Sequence, residues 1–404
     1  MKTNIDVIKI EHGKESFDIK NWNLEQAEMV NRYHRSFPEY QETPLADLKA
    51  LANYFHVSKL LVKDESYRFG LNAFKVLGGS YALGHFISEK MGKSMEEMDY
   101  DYLVGEEVKE KLKELTFVTA TDGNHGRGIA WTANRLKQKC VVYMPKGSAQ
   151  ERLDNIKKLG AYAEITDLSY DDAVRKAALD AETNGWILVQ DTAWQGYEKI
   201  PTWIMQGYLS MAYETVKQME KEQIDAPTHI FLQAGVGAMS GAITAFFSNY
   251  YKDSKVNPKI IIVEPEKANC IFKTAQYNDG KLHRIEEDMD TIMAGLACGE
   301  PCTIGWNIMH QYADYAASVS DSVAAKGMRI LANPIEDDQR VISGESGAAG
   351  FGLVMEILTN PVWKEIKDVF GLQESSRILC FSTEGATNKS NYEKIVWDGL
   401  YSSL

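Results

Sequence analysis

The feature that most limits how this chain can fold is a regular alternation of short apolar runs with longer amphipathic stretches. Seven runs are predicted to be strands, and they cover residues 115–121, 140–145, 161–166, 185–191, 228–235, 259–265 and 377–383. Amphipathic helices are predicted over residues 126–137, 149–160 and 170–185. This order is typical of parallel sheets flanked by helices and predicts an α/β fold. With 404 residues the chain is too long for one compact core, so two domains are expected.

Composition narrows the choice of partners. The net charge is −13, and the acidic residues are spread along the chain without a cluster of Lys and Arg. Nucleic acid is therefore not an expected partner, since clustered basic side chains are needed to neutralise phosphates. The N-terminal residues MKTNIDVIKI lack the apolar core of a secretory signal, which favours a cytoplasmic location.

One apolar stretch, residues 230–247, is about long enough to cross a membrane. It contains Gln233 and three glycines, however, and divides more naturally into a strand, a glycine loop and a helix. No membrane partner is expected.

The five cysteines give no sign of a metal site. None lies in a C-x-x-C pair, and no His at ligand spacing accompanies Cys298 and Cys302. Reduced, buried thiols are the preferred interpretation for a cytosolic protein, with a Cys270–Cys298 disulfide as the alternative.

Ligands of parallel sheets bind at the carboxyl ends of strands, and two glycine-containing clusters occur there. The first runs from Thr121 to Gly126 with the sequence TDGNHG, between a strand and a helix. Its glycines permit close backbone approach, and the N–H groups at a helix start favour an anion such as a carboxylate. The alternative is purely structural, with Asp122 as a helix cap.

The second cluster runs from Gly235 to Gly241 with the sequence GVGAMSG. Such a loop can bind a phosphate through backbone amides and the positive end of a helix dipole. It misses the dinucleotide fingerprint because Ser240 stands where the third glycine belongs, although Glu264 lies where a ribose-binding acid would be. A phosphate site and a structural turn are both open interpretations.

Two further candidates carry functional side chains. Ser382 and Thr383 follow the last predicted strand, where a hydroxyl can bond a ring nitrogen or merely cap a helix. Lys75 stands between Phe74 and Val76, and a lysine in such an apolar setting can serve as an amine nucleophile or a base. The alternative for Lys75 is a surface lysine whose charge reaches solvent.

Together these clusters resemble the pyridoxal 5'-phosphate (PLP)-dependent enzymes of the tryptophan synthase β fold type, which include serine and threonine dehydratases. The resemblance extends from about residue 40 to about residue 385. It implies that Lys75 carries PLP as a Schiff base, that Asn124 contacts the 3'-oxygen, and that Ser382 or Thr383 meets the ring nitrogen. The residues implied to hold the phosphate are Gly235, Val236, Gly237, Ala238 and Met239. Those implied to receive the substrate carboxylate are Thr121, Gly123, Asn124 and His125.

The same resemblance implies the domain organisation and assembly. Residues 1–85 and 206–404 would form a large PLP-binding domain. Residues 86–205 would form a smaller inserted domain that carries the carboxylate-binding loop, with PLP in the cleft between the two. A homodimer is expected.

Two positions depart from the dehydratases, which have a basic residue where this chain has Leu77 and a small neutral residue where it has Asp122. The full set of segments is instead similar to the diaminopropionate ammonia-lyase family. These segments are FGLNAFK, TDGNHGRG, MPKGSAQER, VQDTAWQGY, IPTWIMQGY, QAGVGAMSG, IMAGLACGEP and ISGESGA. The resemblance implies conversion of 2,3-diaminopropionate, as both D and L forms, to pyruvate and two ammonia.

The substrate gives a chemical reason for an additional carboxylate. PLP chemistry breaks a Cα–H bond and expels a β-substituent, which in diaminopropionate is a second amine. Asp122 can pair with that ammonium, or it can accept the Cα proton on the face opposite Lys75. Asp191, at the end of the run ILVQD, is a second candidate catalytic carboxylate, with a helix cap as its alternative.

Two other functions remain open from the sequence. One is a related serine or threonine dehydratase, or a β-replacing synthase of the same fold type. The other is a nucleotide-binding protein that uses the Gly235 loop and Glu264, with Lys75 inert.

Overall fold

The structure is a computed structural model that describes residues 3–13, 17–121 and 123–402, so Asp122 lies outside the described residues. Its strands are β1 (Ile5–Lys9), β2 (Leu45–Asp47), β3 (Lys59–Asp64), β4 (Thr116–Ala120), β5 (Lys139–Met144), β6 (Tyr162–Ile165), β7 (Ile187–Leu188), β8 (His229–Gln233), β9 (Lys259–Pro265), β10 (Tyr315–Val319) and β11 (Arg377–Ser382).

The α-helices of the described residues are α1 (Leu24–Arg35), α2 (Lys49–Tyr54), α3 (Val76–Met91), α4 (Tyr100–Leu103), α5 (Glu106–Lys111), α6 (Asn124–Arg135), α7 (Gln150–Lys157), α8 (Tyr170–Asn184), α9 (Lys199–Gly207), α10 (Leu209–Lys221), α11 (Ala238–Tyr250), α12 (Cys270–Tyr277), α13 (Thr303–Tyr312), α14 (Asp321–Ala332), α15 (Ala349–Thr359), α16 (Lys364–Phe370) and α17 (Lys389–Val396).

The chain divides into two compact units, each with its own sheet. Unit 1 comprises Met1–Asn23, Thr43–Tyr67 and Glu214–Leu404, and unit 2 comprises Leu24–Glu42 and Arg68–Tyr213. These ranges differ from the predicted domains, because residues 24–42, 68–85 and 206–213 fall in unit 2 rather than with the C-terminal half.

The packing of α3 explains this difference. A Cβ atom on Gly79 would lie 2.8 Å from Ile129 Cδ1 of α6, and one on Gly78 would lie 2.7 Å from Ile204 Cγ2 of α9. Glycines therefore let both helices approach α3 closely, which joins α3 to unit 2.

Unit 1 contains a seven-stranded sheet in the order β1-β10-β9-β8-β11-β3-β2. Its five central strands are parallel, and the edge strands β1 and β2 run antiparallel to β10 and β3. The central strands are buried almost throughout, as in β8, where all five residues are buried. Helix α15 packs against β8, β9 and β11.

Unit 2 contains a four-stranded parallel sheet in the order β6-β5-β4-β7. Helices α6 and α8 pack on β4 and β5. Local sequence fixes the ends of α8, since Ser169 accepts a hydrogen bond from the Asp172 amide at its start and Gly185 adopts φ +68° at its end. The two largely parallel sheets with their helices confirm the predicted α/β fold.

The predicted elements are present within a few residues of their expected bounds, with one exception. The run 185–191 forms only the two-residue strand β7. The apolar stretch 230–247 contains most of β8, a glycine loop and most of α11, as predicted. Among the described residues, no helix is long and apolar enough to cross a membrane.

Candidate active site

The four-stranded sheet of unit 2 has a topological switch point at β4. From β4 the chain continues through β5 to β6 on one side, whereas β7 pairs with β4 on the other. Ligands of parallel sheets bind at such points, outside the carboxyl ends of the strands. The predicted loop 121–125 follows β4, and Asp191 lies shortly after β7, so both belong to this edge.

Asp191 is the centre of the charged groups at this edge. Its Oδ2 accepts a hydrogen bond from Lys75 Nζ at 2.8 Å and lies 3.8 Å from His125 Nδ1. Burial opposes ionisation of Asp191, but electrostatic interactions with His125 and Lys75, together with the Lys75 hydrogen bond, outweigh it and lower its pKa to about 2. Asp191 is therefore an anion beside an amine. Its carboxylate caps no helix among the described residues.

The segment before Lys75 is conformationally constrained. Phe69 has φ +49° and Asn72 has φ +59°, in the left-handed region that side chains other than glycine rarely adopt. Phe69 is buried against Phe37 and Trp131, with ring centroids 5.9 and 5.1 Å apart. Such a backbone persists only where packing determines it, so the position of Lys75 at the start of α3 is set by the surrounding core.

Helix α6 begins beside this segment because a glycine permits it. A Cβ atom on Gly128 would lie 2.8 Å from Val76 Cα. The close approach brings the start of α6, including His125, to the start of α3, where Lys75 lies.

Thr121 and Gly123, on either side of Asp122, are joined by a hydrogen bond. The Gly123 amide donates to Thr121 Oγ1 at 2.9 Å, and Gly123 has φ +152°. His125 is buried, and its Nε2 donates to Val189 O at 2.8 Å. The imidazole is thus engaged with Val189 and Asp191. The loop offers an anion the N–H groups at the start of α6 rather than the His125 ring.

Tyr197 supports Asp191 and was not identified from the sequence. Its hydroxyl accepts a hydrogen bond from the Gln190 amide at 2.9 Å and donates to Leu188 O at 2.9 Å. Burial raises the pKa of Tyr197 well above its usual range. These two hydrogen bonds fix the backbone just before Asp191. Nothing in the sequence distinguishes Tyr197 from other tyrosines.

In unit 1, the glycine loop 235–241 lies at a second switch point, where β8 pairs with β9 on one side and with β11 on the other. Gly237 has φ +89°, and a Cβ atom there would lie 2.7 Å from Met309 Cε. The first N–H groups of α11 have no carbonyl partner within the helix. Glycine geometry and a helix start therefore form a cradle suited to a phosphate.

Glu264 is engaged in a different role from ribose binding. Its carboxylate accepts hydrogen bonds from the Ile271 and Phe272 amides at 2.9 and 2.7 Å, which caps α12. Burial raises the pKa of Glu264 to about 8, against the lowering effect of these bonds. The geometry thus weakens the dinucleotide interpretation of the neighbouring loop.

Ser382 ends β11 and Thr383 follows it, and β11 pairs with β8, the strand that leads into the glycine loop. Ser382 Oγ donates to Ser343 Oγ at 2.8 Å, whereas Thr383 Oγ1 accepts from Gln233 Nε2 at 2.8 Å. The hydroxyl proton of Ser382 is therefore already donated to Ser343. The Thr383 oxygen is held as an acceptor, which directs its proton elsewhere and favours Thr383 as a donor to a ring nitrogen.

All five cysteines have free thiols in the structure, including Cys270 and Cys298, so no disulfide joins these two.

Each unit contains groups that suit a part of PLP. In unit 1 the glycine cradle suits its phosphate and the Thr383 hydroxyl suits its ring nitrogen. In unit 2 the Lys75 side chain offers an amine, which is held by Asp191. The Lys75 side chain is 16% exposed.

Comparison with known proteins agrees with this fit. The family described as pyridoxal-phosphate dependent enzyme matches residues 37–360. Diaminopropionate ammonia-lyase of Salmonella typhimurium is 48% identical over 371 residues, which cover 92% of this chain and 91% of that protein.

Two crystal structures of diaminopropionate ammonia lyase from Escherichia coli are similar to the whole chain. The complex with D-serine is 44% identical, with a TM-score of 0.91, and the match covers 99% of this chain and 98% of that one. The complex with an aminoacrylate-PLP azomethine reaction intermediate is 44% identical, with a TM-score of 0.90, and covers 99% of both chains.

Proposed function

Because this chain belongs to the diaminopropionate ammonia-lyases, within the family of pyridoxal-phosphate dependent enzymes, we propose that it eliminates ammonia from 2,3-diaminopropionate. The overall conversion is 2,3-diaminopropionate and water to pyruvate and two ammonia. The observation that carries the proposal is the 2.8 Å contact between Lys75 Nζ and the buried Asp191 carboxylate.

PLP, when bound, supplies a ring that takes up the electron pair left as the Cα–H bond breaks. We propose that Lys75 attaches it covalently and that Asn124 contacts its 3'-oxygen. Thr383 would meet the ring nitrogen, and Ser382 is the less favoured donor because its proton already goes to Ser343. The phosphate would bind the loop residues Gly235, Val236, Gly237, Ala238 and Met239.

The substrate carboxylate is proposed to bind at the start of α6. This position is supported by the general affinity of helix N-termini for anions and by the hydrogen bond between Gly123 and Thr121 just before the helix. The residues proposed to take part are Thr121, Gly123, Asn124 and His125, with His125 acting through its backbone.

Lys75 is proposed to take the Cα proton on one face of the substrate. The interaction with Lys75 helps to lower the pKa of Asp191, so its carboxylate accepts a hydrogen bond from Nζ when this amine carries the extra proton. Such a partner holds Nζ in place, which is the role of supporting groups in preorganised sites.

Asp122 is proposed to serve the opposite face or the leaving amine. The support is chemical, since a carboxylate inside the substrate loop can accept a Cα proton or pair with the β-ammonium. Departure as neutral ammonia requires the β-nitrogen to carry its extra proton first, and a nearby carboxylate favours that form. The enamine released by the elimination then hydrolyses to pyruvate and the second ammonia.

Two measurements test the proposal: the site of covalent PLP attachment and the substrate preference. The purified protein with PLP should lose its visible absorbance band on borohydride reduction, and peptide mapping should find the cofactor on Lys75. Lys75→Ala should abolish both turnover and covalent attachment. Lys90→Ala, at the exposed far end of α3, is the matched control and should change neither.

The screen uses D- and L-diaminopropionate, serine and threonine. Both diaminopropionate enantiomers should be the preferred substrates if two bases serve the two faces. Cofactor on a lysine other than Lys75, or a preference for threonine or serine, would contradict the proposal.

A cytoplasmic homodimer is also proposed. The family resemblance supports the dimer, and five free thiols are compatible with a reducing compartment. Light scattering of the holoenzyme on a sizing column tests the assembly, and a monomer mass would contradict it.

A further inference from the structure

Gln190 makes an unusual pair of hydrogen bonds at the candidate active site. Its side chain is fully buried, and its Oε1 accepts from the Ala120 amide at 3.0 Å. Its Nε2 donates to the Ala120 carbonyl, also at 3.0 Å. One side-chain amide thus satisfies both backbone groups of Ala120, as a neighbouring strand would.

A neighbouring strand is missing there because β7 is short. Its main chain pairs with β4 through two residues, and the last bond runs from the Val189 amide to Val118 O at 2.9 Å. Ala120, two residues further along β4, is fully buried and needs partners for both polar groups. The Gln190 side chain supplies them and so continues the sheet beyond the end of β7.

The position of this bridge connects two parts of the site. Ala120 is followed by Thr121, the first residue of the substrate loop, and Asp122 comes next in the sequence. Gln190 precedes Asp191, and its Nε2 lies 3.4 Å from Asp191 Oδ1. The same amide group is therefore bonded to the strand that leads into the loop and adjacent to the partner of Lys75.

We propose that Gln190 is a positioning residue that sets the substrate loop relative to the Lys75–Asp191 pair. The inference rests on the proposed function, since positioning is defined by the reaction on the substrate. Tyr170 strengthens the assignment, because its hydroxyl accepts from Gln190 Nε2 at 2.9 Å and fixes the orientation of the amide.

Another glutamine beside β4, Gln138, provides a control. Gln138 Oε1 accepts from the Leu115 amide at 2.7 Å, just before the opposite end of β4, and its Nε2 donates to Leu136 O at 3.2 Å. Like Gln190, it accepts a hydrogen bond from a backbone amide beside β4, but it is partly buried and lies at the end away from the site. A merely structural role for Gln190 predicts the same consequences for both glutamines.

The experiment compares Gln190→Met with Gln138→Met in the holoenzyme. Methionine keeps the approximate volume and removes the hydrogen bonds. Hydrogen exchange should become faster at Ala120 in the first variant and at Leu115 in the second, with unchanged PLP content in both. For Gln190→Met, kcat should fall by about tenfold or more with both diaminopropionate enantiomers, because misplaced groups reduce rate steeply. For Gln138→Met, kcat should stay within about twofold, since no reacting group moves.

Gln190→Glu covers the case in which the methionine variant fails to fold. A protonated carboxyl can still donate and accept, whereas the ionised form loses the donor and places a negative charge beside Asp191. Activity of this variant should therefore fall as pH rises through the titration of the new carboxyl, and the wild type should lack this limb.

Equal kinetic losses in the two methionine variants, or a Gln190→Glu pH profile identical to the wild type, would overturn the inference. Wild-type protein without lyase activity would instead refute the proposed function.

Discussion

Replacing Asp191 by asparagine should lower the free energy of unfolding by an amount that depends on pH, because the pKa of this carboxyl is lowered in the folded protein. Burial opposes its charge, yet His125 and Lys75 lower its pKa from 3.8 to about 2. A carboxyl group with this change on folding contributes on the order of 2 kcal/mol to the free energy of unfolding at neutral pH. Because its pKa is lowered on folding, the contribution is nearly complete above about pH 5 and about half lost near pH 3.

The assay is urea unfolding of cofactor-free protein, in which the Lys75 amine is available to Asp191, at several pH values between 3 and 7. The difference between wild type and Asp191→Asn should be largest at pH 5 and above and should shrink toward pH 3. Asp172→Asn is the control, because Asp172 pairs with Arg175 at the exposed surface and such pairs contribute little. A difference that stays constant over this range, or is absent at pH 6, would refute the assignment of the lowered pKa to folding.

The double-mutant cycle with Lys75→Met identifies the partner. If the 2.8 Å contact with Lys75 contributes to the effect, Asp191→Asn should cost less in the Lys75→Met background than in the wild type. Equal costs in the two backgrounds would assign the effect to His125 or to backbone contacts.

Three further outcomes follow from the site. Gly237→Asp should weaken the binding of PLP, because a side chain and a negative charge would enter the phosphate cradle. Cofactor release on dilution measures this effect. If the variant kept the wild-type affinity for PLP but lost NAD binding, the nucleotide-binding alternative would be favoured. Glu264→Gln should reduce the pH dependence of the free energy of unfolding between about pH 5 and 8. A carboxyl whose pKa is raised on folding destabilises the folded state as pH rises through that range. The same pH dependence of urea unfolding in variant and wild type would contradict this. Asp122→Asn should reduce turnover of one diaminopropionate enantiomer by about 10²–10⁴-fold if Asp122 is a base, and should weaken binding of both enantiomers if it anchors the ammonium. Unchanged kinetics with both enantiomers and with serine would reduce Asp122 to a helix cap.

The sequence predicted the parallel architecture because several central strands appear in it as continuous apolar runs. β8 and β9 are buried on both faces and appear as continuous apolar runs. The edge strands β1 and β2 were not predicted, since short edge pairing leaves no such run, and the central strands β3 and β10 were also missed. Domain ranges differed because the packing of α3 depends on glycines, whose partners are distant in sequence.

Sequence reasoning found candidate site residues where a charged or reactive side chain stands at a predicted strand end or among apolar neighbours. Lys75 was singled out by its apolar neighbours and Asp191 by its place after a predicted strand, and the structure brings them to 2.8 Å. Glu264 was considered a ribose ligand because of its spacing, but its carboxylate caps α12. Spacing alone does not distinguish these roles, because both place an acid after a strand.

Gln190 and Tyr197 could not be found in this way, and the reason concerns how the site is built. A longer β7 would commit the main-chain groups around Asp191 to the ladder, whereas the observed chain leaves the sheet after Val189. Side chains then take over the missing bonds, with Tyr197 on the Gln190 amide and Gln190 on Ala120. Such bonds hold functional segments without extending the strand, so a substitution there can alter the geometry of the site while the rest of the sheet stays intact. A buried glutamine beside the carboxylate that contacts Lys75 is therefore better interpreted through the strand that it replaces than through its own side-chain chemistry.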